Sequence, residues 1–527
     1  MSNPQDQSSS TTNPIIPGFH PDPSCVCVDG IFYLVNSTFQ WFPHISVHVS
    51  QDLTNWIPCK GAINEPGYIS VNDAITRGHQ TEGILAPTIR YHKGTFYVIC
   101  TNILLTGKAD TFIVTSTDPI AGKWSAPIKI DFHGIDPSLF FDPNSDKVYF
   151  QGTMFPEKPA DGKLPEGILP QIVQMEIDIS TGKSISGLPK PLVKAHGGGW
   201  AEGPHVYFKD GWYYALLAED GTEINHCVTM FRSRSVWGPF ESHPQNPVLT
   251  ARGTDEYVQG VGHADLFQDE AGNWWAVMLA VRLKDGRFPL GRESFLCPVT
   301  WPEGEWPVFN NSKKIRMDIE NCQPLPVPKH VNEIFHKPVE ETLTSTNPRL
   351  VYLRDPNFSS YEWREGGVSI VGKAANLNTP KGTSSLVSFR QRSLNAQISI
   401  DVVFQPSGDN EEAGMSVYVD QLRHFDITVR GESIVFAVSS LQQLTQTMKI
   451  PRQSERPRLS FRVRCTELMY SFDVKEECDG EFWREVGTAD SLLISEWGYT
   501  GPVFALFATS NGEGETAPVL FENLVIE

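Results

Sequence analysis

A hairpin-sized pattern recurs along the first three hundred residues, and it limits the fold more than any other feature of the chain. One unit reads Pro23-Ser-Cys-Val-Cys-Val-Asp-Gly30-Ile-Phe-Tyr-Leu-Val, and a second Pro87-Thr-Ile-Arg-Tyr-His-Lys-Gly94-Thr-Phe-Tyr-Val-Ile. A third reads Pro204-His-Val-Tyr-Phe-Lys-Asp-Gly211-Trp-Tyr-Tyr-Ala-Leu. Proline and glycine stand seven residues apart in each. A fourth unit, from Pro137, has a longer turn at Asp146, and a fifth, Ala264 to Gly272 and on through Trp274-Trp275, lacks the leading proline. Each predicts a strand, a tight turn and an aromatic-rich second strand. Five such units, roughly 50–67 residues apart, are too many for one sandwich and too widely spaced for a solenoid. They predict a five-bladed β-propeller, one four-stranded sheet per blade. The competing reading, a β-meander with coincidental turns, does not account for the matched spacing. Segments following three of the units, Ser50 to Trp56, Ser116 to Trp124 and Ser233 to Pro239, are candidate outer strands.

With 527 residues, the chain exceeds what one hydrophobic core serves, so a second domain is expected. Beyond about residue 310 the pattern loosens, and Pro324, Pro326 and Pro328 cluster. Alternating strands then resume at Ala396–Phe404, Gly414–Val419 and Leu459–Arg464, as in a β-sandwich of about 180 residues. The fold class is therefore all-β. Residues 1–13 are read as a disordered tail, 14–310 as a five-bladed β-propeller, 311–345 as a linker and 346–527 as a C-terminal β-sandwich.

Composition excludes several functions. A net charge of -19 argues against nucleic acid or an anionic membrane as partner, since both require a basic surface. No apolar run reaches the roughly 18 residues of a membrane span. Nine cysteines are scattered without metal-ligand spacing, and Cys25 and Cys27, on one face of a predicted strand, read as small core residues. Without a basic-plus-apolar leader at the N-terminus, a cytoplasmic location is expected. Asn36, Asn310 and Asn357 stand in sequons, which keeps secretion open if a leader has been removed.

The first residues of the innermost strands should converge on the propeller axis. Aligning the units places Asp22, Ala86, Asp136, Gly203 (beside Glu202) and either His263 or Ala264 there. Pro23 is expected to hold Asp22 extended. Three acids around one funnel should push a carboxyl pKa upward and so supply both a general acid and a general base, the equipment for cleaving a glycosidic bond. The plainer reading is that the acids cap turns or bind a metal. Arg292, in Leu290-Gly291-Arg292-Glu293, either tunes a carboxylate and holds hydroxyls or makes a surface salt bridge. His263 is either axial or a core histidine. Phe39, Trp41 and Phe42 either stack on sugar or fill core. No phosphate-binding loop, nucleophile elbow, dinucleotide fingerprint or zinc-protease motif is present.

These stretches resemble glycoside hydrolase family 43, in particular its two-domain β-xylosidases and α-L-arabinofuranosidases. The resemblance is carried by Asn13-Pro-Ile-Ile-Pro-Gly-Phe-His-Pro-Asp-Pro-Ser24, Ser37-Thr-Phe-Gln-Trp-Phe-Pro43 and Gly134-Ile-Asp-Pro-Ser-Leu-Phe140. Ala201-Glu-Gly-Pro-His-Val-Tyr207, Gly262-His-Ala264 and Leu290-Gly-Arg-Glu293 carry it too, and Leu353-Arg-Asp-Pro356 and Ala413-Gly-Met-Ser-Val-Tyr418 extend it into the second domain.

The resemblance implies an exo-acting, inverting hydrolase with Asp22 as general base, Glu202 as general acid and Asp136 as modulator of the acid. The base and acid would stand roughly 6.5–9.5 Å apart, leaving room for a water. It also implies that Arg292 and His263 lie beside the base, that Phe39 lines the terminal-sugar subsite, and that Thr222 lies near the pocket. Leu85 and Ile135 stand where relatives commonly carry aromatics, which bears on sugar choice. Tyr499 or Phe504 is a candidate to close the pocket from the second domain. The implied reaction is release of terminal β-D-xylose from xylo-oligosaccharides, with or without α-L-arabinofuranosidase activity. The alternatives are an α-L-arabinofuranosidase acting on arabinoxylan side chains and a non-catalytic carbohydrate-binding propeller. An oligosaccharide is the expected partner, a homo-oligomer is allowed for, and no cofactor is required, with a structural calcium on the axis left open.

Overall fold

The structure, a computed structural model, describes residues 12–104, 108–156, 169–319, 333–336, 339–441, 446–454, 456–476, 480, 482–512 and 514–527. Five antiparallel sheets follow one another along the chain. Their innermost strands are Ser24–Val28, Gly83–His92, Gly134–Phe141, Ala201–Lys209 and Val258–Gln268, so each begins at or beside a repeat unit. In the four hairpins that turn at a glycine, that glycine has positive φ, for example 74° at Gly30 and 84° at Gly94, which explains why glycine recurs there. Apolar side chains from adjacent sheets fill five successive cores, between blades one and two, two and three, three and four, four and five, and five and one. The ring is a five-bladed β-propeller.

The outer strands are not where the sequence pattern suggests. Ser50 to Trp56, Ser116 to Trp124 and Ser233 to Pro239 are the turns after the third strands; the fourth strands are the short Ile57–Cys59, Ile128–Ile130 and Glu241–Ser242. A serine ends each third strand and its hydroxyl accepts from the following backbone: Leu53 N–H at 2.9 Å from Ser50, Asp118 N–H at 2.9 Å from Ser116, Ser235 N–H at 3.1 Å from Ser233. Local side-chain bonds of this kind compete with a ladder and favour a turn.

Ring closure depends on residues ahead of the first blade. Asn13, expected in a disordered tail, is buried; its side chain bonds the Leu296 and Arg316 carbonyls and the Leu296 N–H, and Thr12 bridges Asp318. Residues 1–11 lie outside the described residues. The expected linker likewise begins too early, because Ile315 is buried in the core of the last two blades and Ile319 in that between the last and first. The sequon at Asn36 is buried as well, its amide donating to the His20 and Pro21 carbonyls and Ser294 Oγ.

Across the axis, Asp265 of the fifth blade meets Arg90 of the second at 2.8 and 3.1 Å. It also accepts from Ser24 Oγ of the first blade at 2.5 Å and from Tyr207 Oη of the fourth at 2.6 Å. Together these four donors, two of them from the Arg90 guanidinium, occupy both oxygens of Asp265.

The second domain is a two-layer β-sandwich, with layers of eight and seven strands among the described residues. One strand of the eight comes from the propeller: Trp41–Phe42 pairs with Val351–Leu353 at the sheet edge. Phe19, Phe39 and Trp41 of the propeller and Leu353, Leu386, Tyr418 and Phe507 of the sandwich then form one shared apolar core.

Burial alone would raise the Asp265 carboxyl, but Arg90 and His205 pull it down to about 2. Being lower than the usual value near 4, it contributes stability that is complete above about pH 4 and lost as pH falls through 2. Asp265→Asn, which leaves Arg90 buried and unpaired, is expected to cost about 3–5 kcal/mol at pH 7. Its melting temperature should converge on that of the wild type between pH 4 and 2. Equal melting temperatures at pH 7 would remove the axial pair from this role.

Candidate active site

The pocket above the axis is built from one repeated backbone turn. Asp22, Ala86, Asp136, Gly203 and His263 have φ of 53°, 48°, 54°, 58° and 48°, one residue per blade. His263 rather than Ala264 is therefore the fifth equivalent. Asp22 is left-handed rather than extended: the following proline excludes the right-handed helical region but not this one. In blades two to five the pairing register shifts at this point, a β-bulge that re-aims the strand start. In blade four the left-handed position is a glycine, where a Cβ would meet the His263 ring at 3.3 Å, and the carboxylate sits one residue earlier, at Glu202.

All nine sequence-predicted residues, Asp22, Phe39, Leu85, Ile135, Asp136, Glu202, Thr222, His263 and Arg292, line one cavity of about 480 Å³. Asp22 is 5% exposed and heavily bonded. Arg292 Nη1 stands 3.2 Å from its Oδ1, His263 Nδ1 4.0 Å from the same oxygen, and Ser37 Oγ donates to Oδ2 at 2.5 Å. Ser37 in turn accepts the Ala86 N–H at 2.7 Å, so the second blade braces the first blade's carboxylate. Burial would raise the Asp22 pKa; Arg292, His263 and Ser37 together bring it below the usual carboxylate value.

The other two acids go the opposite way. Burial, reinforced by the neighbouring acids, raises Asp136 to about 7 although His263 opposes it. Glu202 is also raised, by burial first and by Asp22, against the pull of His263 and of the Trp200 indole. Trp200 Nε1 donates to Glu202 Oε2 at 2.6 Å, and the Gly203 N–H donates to Asp136 Oδ2 at 3.0 Å. Asp136, Glu202 and His263 each offer an atom within 4.8 Å of the others, close enough to share a proton or to hold a cation.

Sequence reasoning missed much of the wall. Trp200, Trp497 and the exposed tip His79-Gln80 line the cavity alongside Tyr499. Of the two closing candidates from the sandwich, Tyr499 lines the pocket, its ring 6.0 Å from that of Phe39. Phe504 is buried in the sandwich core instead. Trp41 and Phe42 are core and strand, leaving Phe39 as the pocket member of that aromatic group. Arg292 joins the domains: Nε donates to the Tyr499 carbonyl at 3.1 Å while Nη1 donates to Thr222 Oγ1 at 2.9 Å.

Residues 11–307 match the family described as Glycosyl hydrolases family 43, and residues 342–527 match the Beta xylosidase C-terminal Concanavalin A-like domain. A non-reducing end α-L-arabinofuranosidase of Bacteroides ovatus is 34% identical, over 97% of this chain and 93% of its own. A xylosidase/arabinosidase of Butyrivibrio fibrisolvens is 32% identical, over 95% of this chain and 96% of its own. The crystal structure of a xylan β-1,4-xylosidase from Bacillus halodurans C-125 superposes with a TM-score of 0.87 at 27% identity, covering 98% of this chain and all (100%) of that one.

The rim of the pocket depends on close backbone approach between the domains. A Cβ on Gly501 would lie 2.4 Å from the Leu290 carbonyl oxygen. Gly501→Ala should therefore push Tyr499 away from Arg292, lowering stability by about 1–3 kcal/mol and glycosidase kcat/KM with it. Unchanged kcat/KM in a folded variant would show that this contact does not set the rim.

Proposed function

The chain belongs to glycosyl hydrolases family 43, and we propose that it is an exo-acting, inverting enzyme that removes terminal β-D-xylose from xylo-oligosaccharides. The observation that carries the mechanism is the opposite displacement of two carboxyls in one pocket: Asp22 held down by Arg292, His263 and Ser37 against burial, Glu202 held up by burial and by Asp22. Pairs driven apart in this way divide into base and acid.

In the proposed reaction Asp22 is ionised at neutral pH and takes a proton from a water as that water attacks the anomeric carbon. Glu202 enters protonated and gives its proton to the departing glycosidic oxygen. Asp136, raised by burial and by Glu202 and Asp22, shares the site with Glu202, so the pair resists carrying two negative charges at once and a proton stays available to the acid. Arg292 keeps Asp22 ionised and, through the Tyr499 carbonyl, fixes the wall from the sandwich. Trp200 occupies Glu202 Oε2, which leaves Oε1 to carry the proton toward the leaving group. Phe39 and Tyr499 offer ring faces to the sugar. These side chains supply the acid, the base and the wall.

A second reading is supported by the same wall. Leu85 and Ile135 are aliphatic members of the pocket lining, and two relatives are named for both xylosidase and arabinosidase action. We therefore propose α-L-arabinofuranosides as the second substrate class. Comparing kcat/KM on the 4-nitrophenyl β-D-xyloside and α-L-arabinofuranoside decides the order of the two.

Asp22→Asn and Glu202→Gln should each reduce kcat/KM on xylobiose by about 10²–10⁴-fold. The Glu202 variant should recover on aryl glycosides whose leaving group needs no proton, and the Asp22 variant should not. Wild-type rates in either variant, or retained anomeric configuration by NMR, would refute the assignment. For Trp200→Phe, loss of a donor that favours the ionised form raises the Glu202 pKa further. The alkaline limb of kcat/KM should then move to higher pH; a limb that stays or moves down would separate Trp200 from the acid.

A further inference from the structure

Behind the active site, where the first blade meets the sandwich, lies a cavity of about 30 Å³ lined by His20, Ser46, His48, Arg349, Arg390 and Arg392. That is about twice the 10–15 Å³ needed by one water. We propose that it is a binding site for a small inorganic anion of chloride's size class.

The charge arrangement is one-sided. Among the described residues, the three guanidinium groups of the lining face one carboxylate, Glu341, which also lines the cavity and reaches Arg392 at 3.2 Å and Arg349 at 3.6 Å. Arg390 has no part in either pair. Its Nε and Nη2 atoms are buried and have no hydrogen-bond partner among the described residues. It lies with its guanidinium carbon 4.8 Å from the centre of the Phe19 ring. His20 and His48, each 5% exposed, meet edge to face at 4.9 Å, and among the described residues the Nδ1 atom of both is unpartnered, as is Ser46 Oγ. Burial and the arginines hold both imidazoles neutral, so they offer polarity but not the missing negative charge. Burial also pulls Arg349 and Arg390 down to about 10, as expected of cations short of counter-charge.

A buried, unpaired guanidinium is among the costliest groups a fold can retain. Water could satisfy its donors but brings no charge, whereas an anion supplies both. A neighbouring cleft of about 540 Å³ shares His20, His48, Arg349 and Arg392 and provides a route in. The site also bears on the pocket: the His20 N–H donates to the Arg292 carbonyl at 3.0 Å, two residues before Asp22. A bound anion would clamp the segment carrying Asp22 to the sandwich strand Ser385–Arg390.

The test is thermal unfolding of the full-length protein in sodium chloride against sodium gluconate at constant ionic strength, gluconate being too large for the cavity. The melting temperature should rise with chloride along a saturating curve, as ligand linkage requires. Arg390→Met should abolish the rise. If that variant does not fold, Arg392→Gln, at the partly exposed rim, should shift the half-saturating chloride several-fold upward. Crystals soaked in bromide should show an anomalous peak at hydrogen-bond distance from Arg390 Nε or Nη2. Saturation by sulfate at lower concentration than chloride would keep the site but assign it to an oxyanion. A linear salt response shared by wild type and variants, or a bromide soak with only water in the cavity, would overturn the proposal.

Discussion

The ion pair between Arg90 and Asp265 is the interaction on which the rest of this molecule depends. A propeller blade is a short, twisted sheet with no stability of its own, and five of them hold together only through what lies between them and at the axis. Here the axis is a charged group from blade five gripped by side chains from blades one, two and four. Among the described residues no strand is exchanged between the first and last sheets of the ring, and closure rests on this network, the apolar core between blades five and one, and the clip formed by Thr12 and Asn13. Immediately above the network, each blade turns through a left-handed residue. Such conformations cost about 1–3 kcal/mol each outside glycine, and they persist because the axis below and the sandwich above determine them from both sides.

One pocket holds three carboxyls, Asp22 and Asp136 buried and Glu202 part-buried, yet they behave differently because their neighbours differ. Asp22 has a guanidinium and a hydroxyl aimed at it. Asp136 has one backbone donor, and Glu202 one indole. Burial acts on all three with the same sign, so the number and charge of donors decides which is ionised. The repeat sets the geometry and the local sequence sets the electrostatics.

Much of this was legible in the sequence because the repeat unit is itself the active-site scaffold. Proline-to-glycine spacing revealed the hairpins, and the residue before each proline is the axial residue, which made Asp22, Asp136 and the neighbourhood of Glu202 visible together. The illegible parts lack such a local signature. The choice between His263 and Ala264 required a backbone angle, since the fifth unit has no proline. The fourth strands are two to four residues long, too short to show an alternating pattern. Trp200 and Trp497 join the wall only because separate loops meet in space, and nothing in their own neighbours indicates it. The Trp41–Phe42 strand was hidden for a related reason: its hydrogen-bonding partner lies some three hundred residues away.

That two-residue strand makes the familiar picture of a catalytic module with an accessory module attached misleading here. The sandwich's eight-stranded sheet has its edge written into the gene segment for the propeller, and the propeller's pocket has its wall written into the gene segment for the sandwich. Neither segment could be exchanged by recombination without leaving the other with an open edge or an open pocket. The two halves are therefore one unit to a breeder of variants: a change at Phe19, Trp41, Leu353 or Tyr499 alters both domains at once.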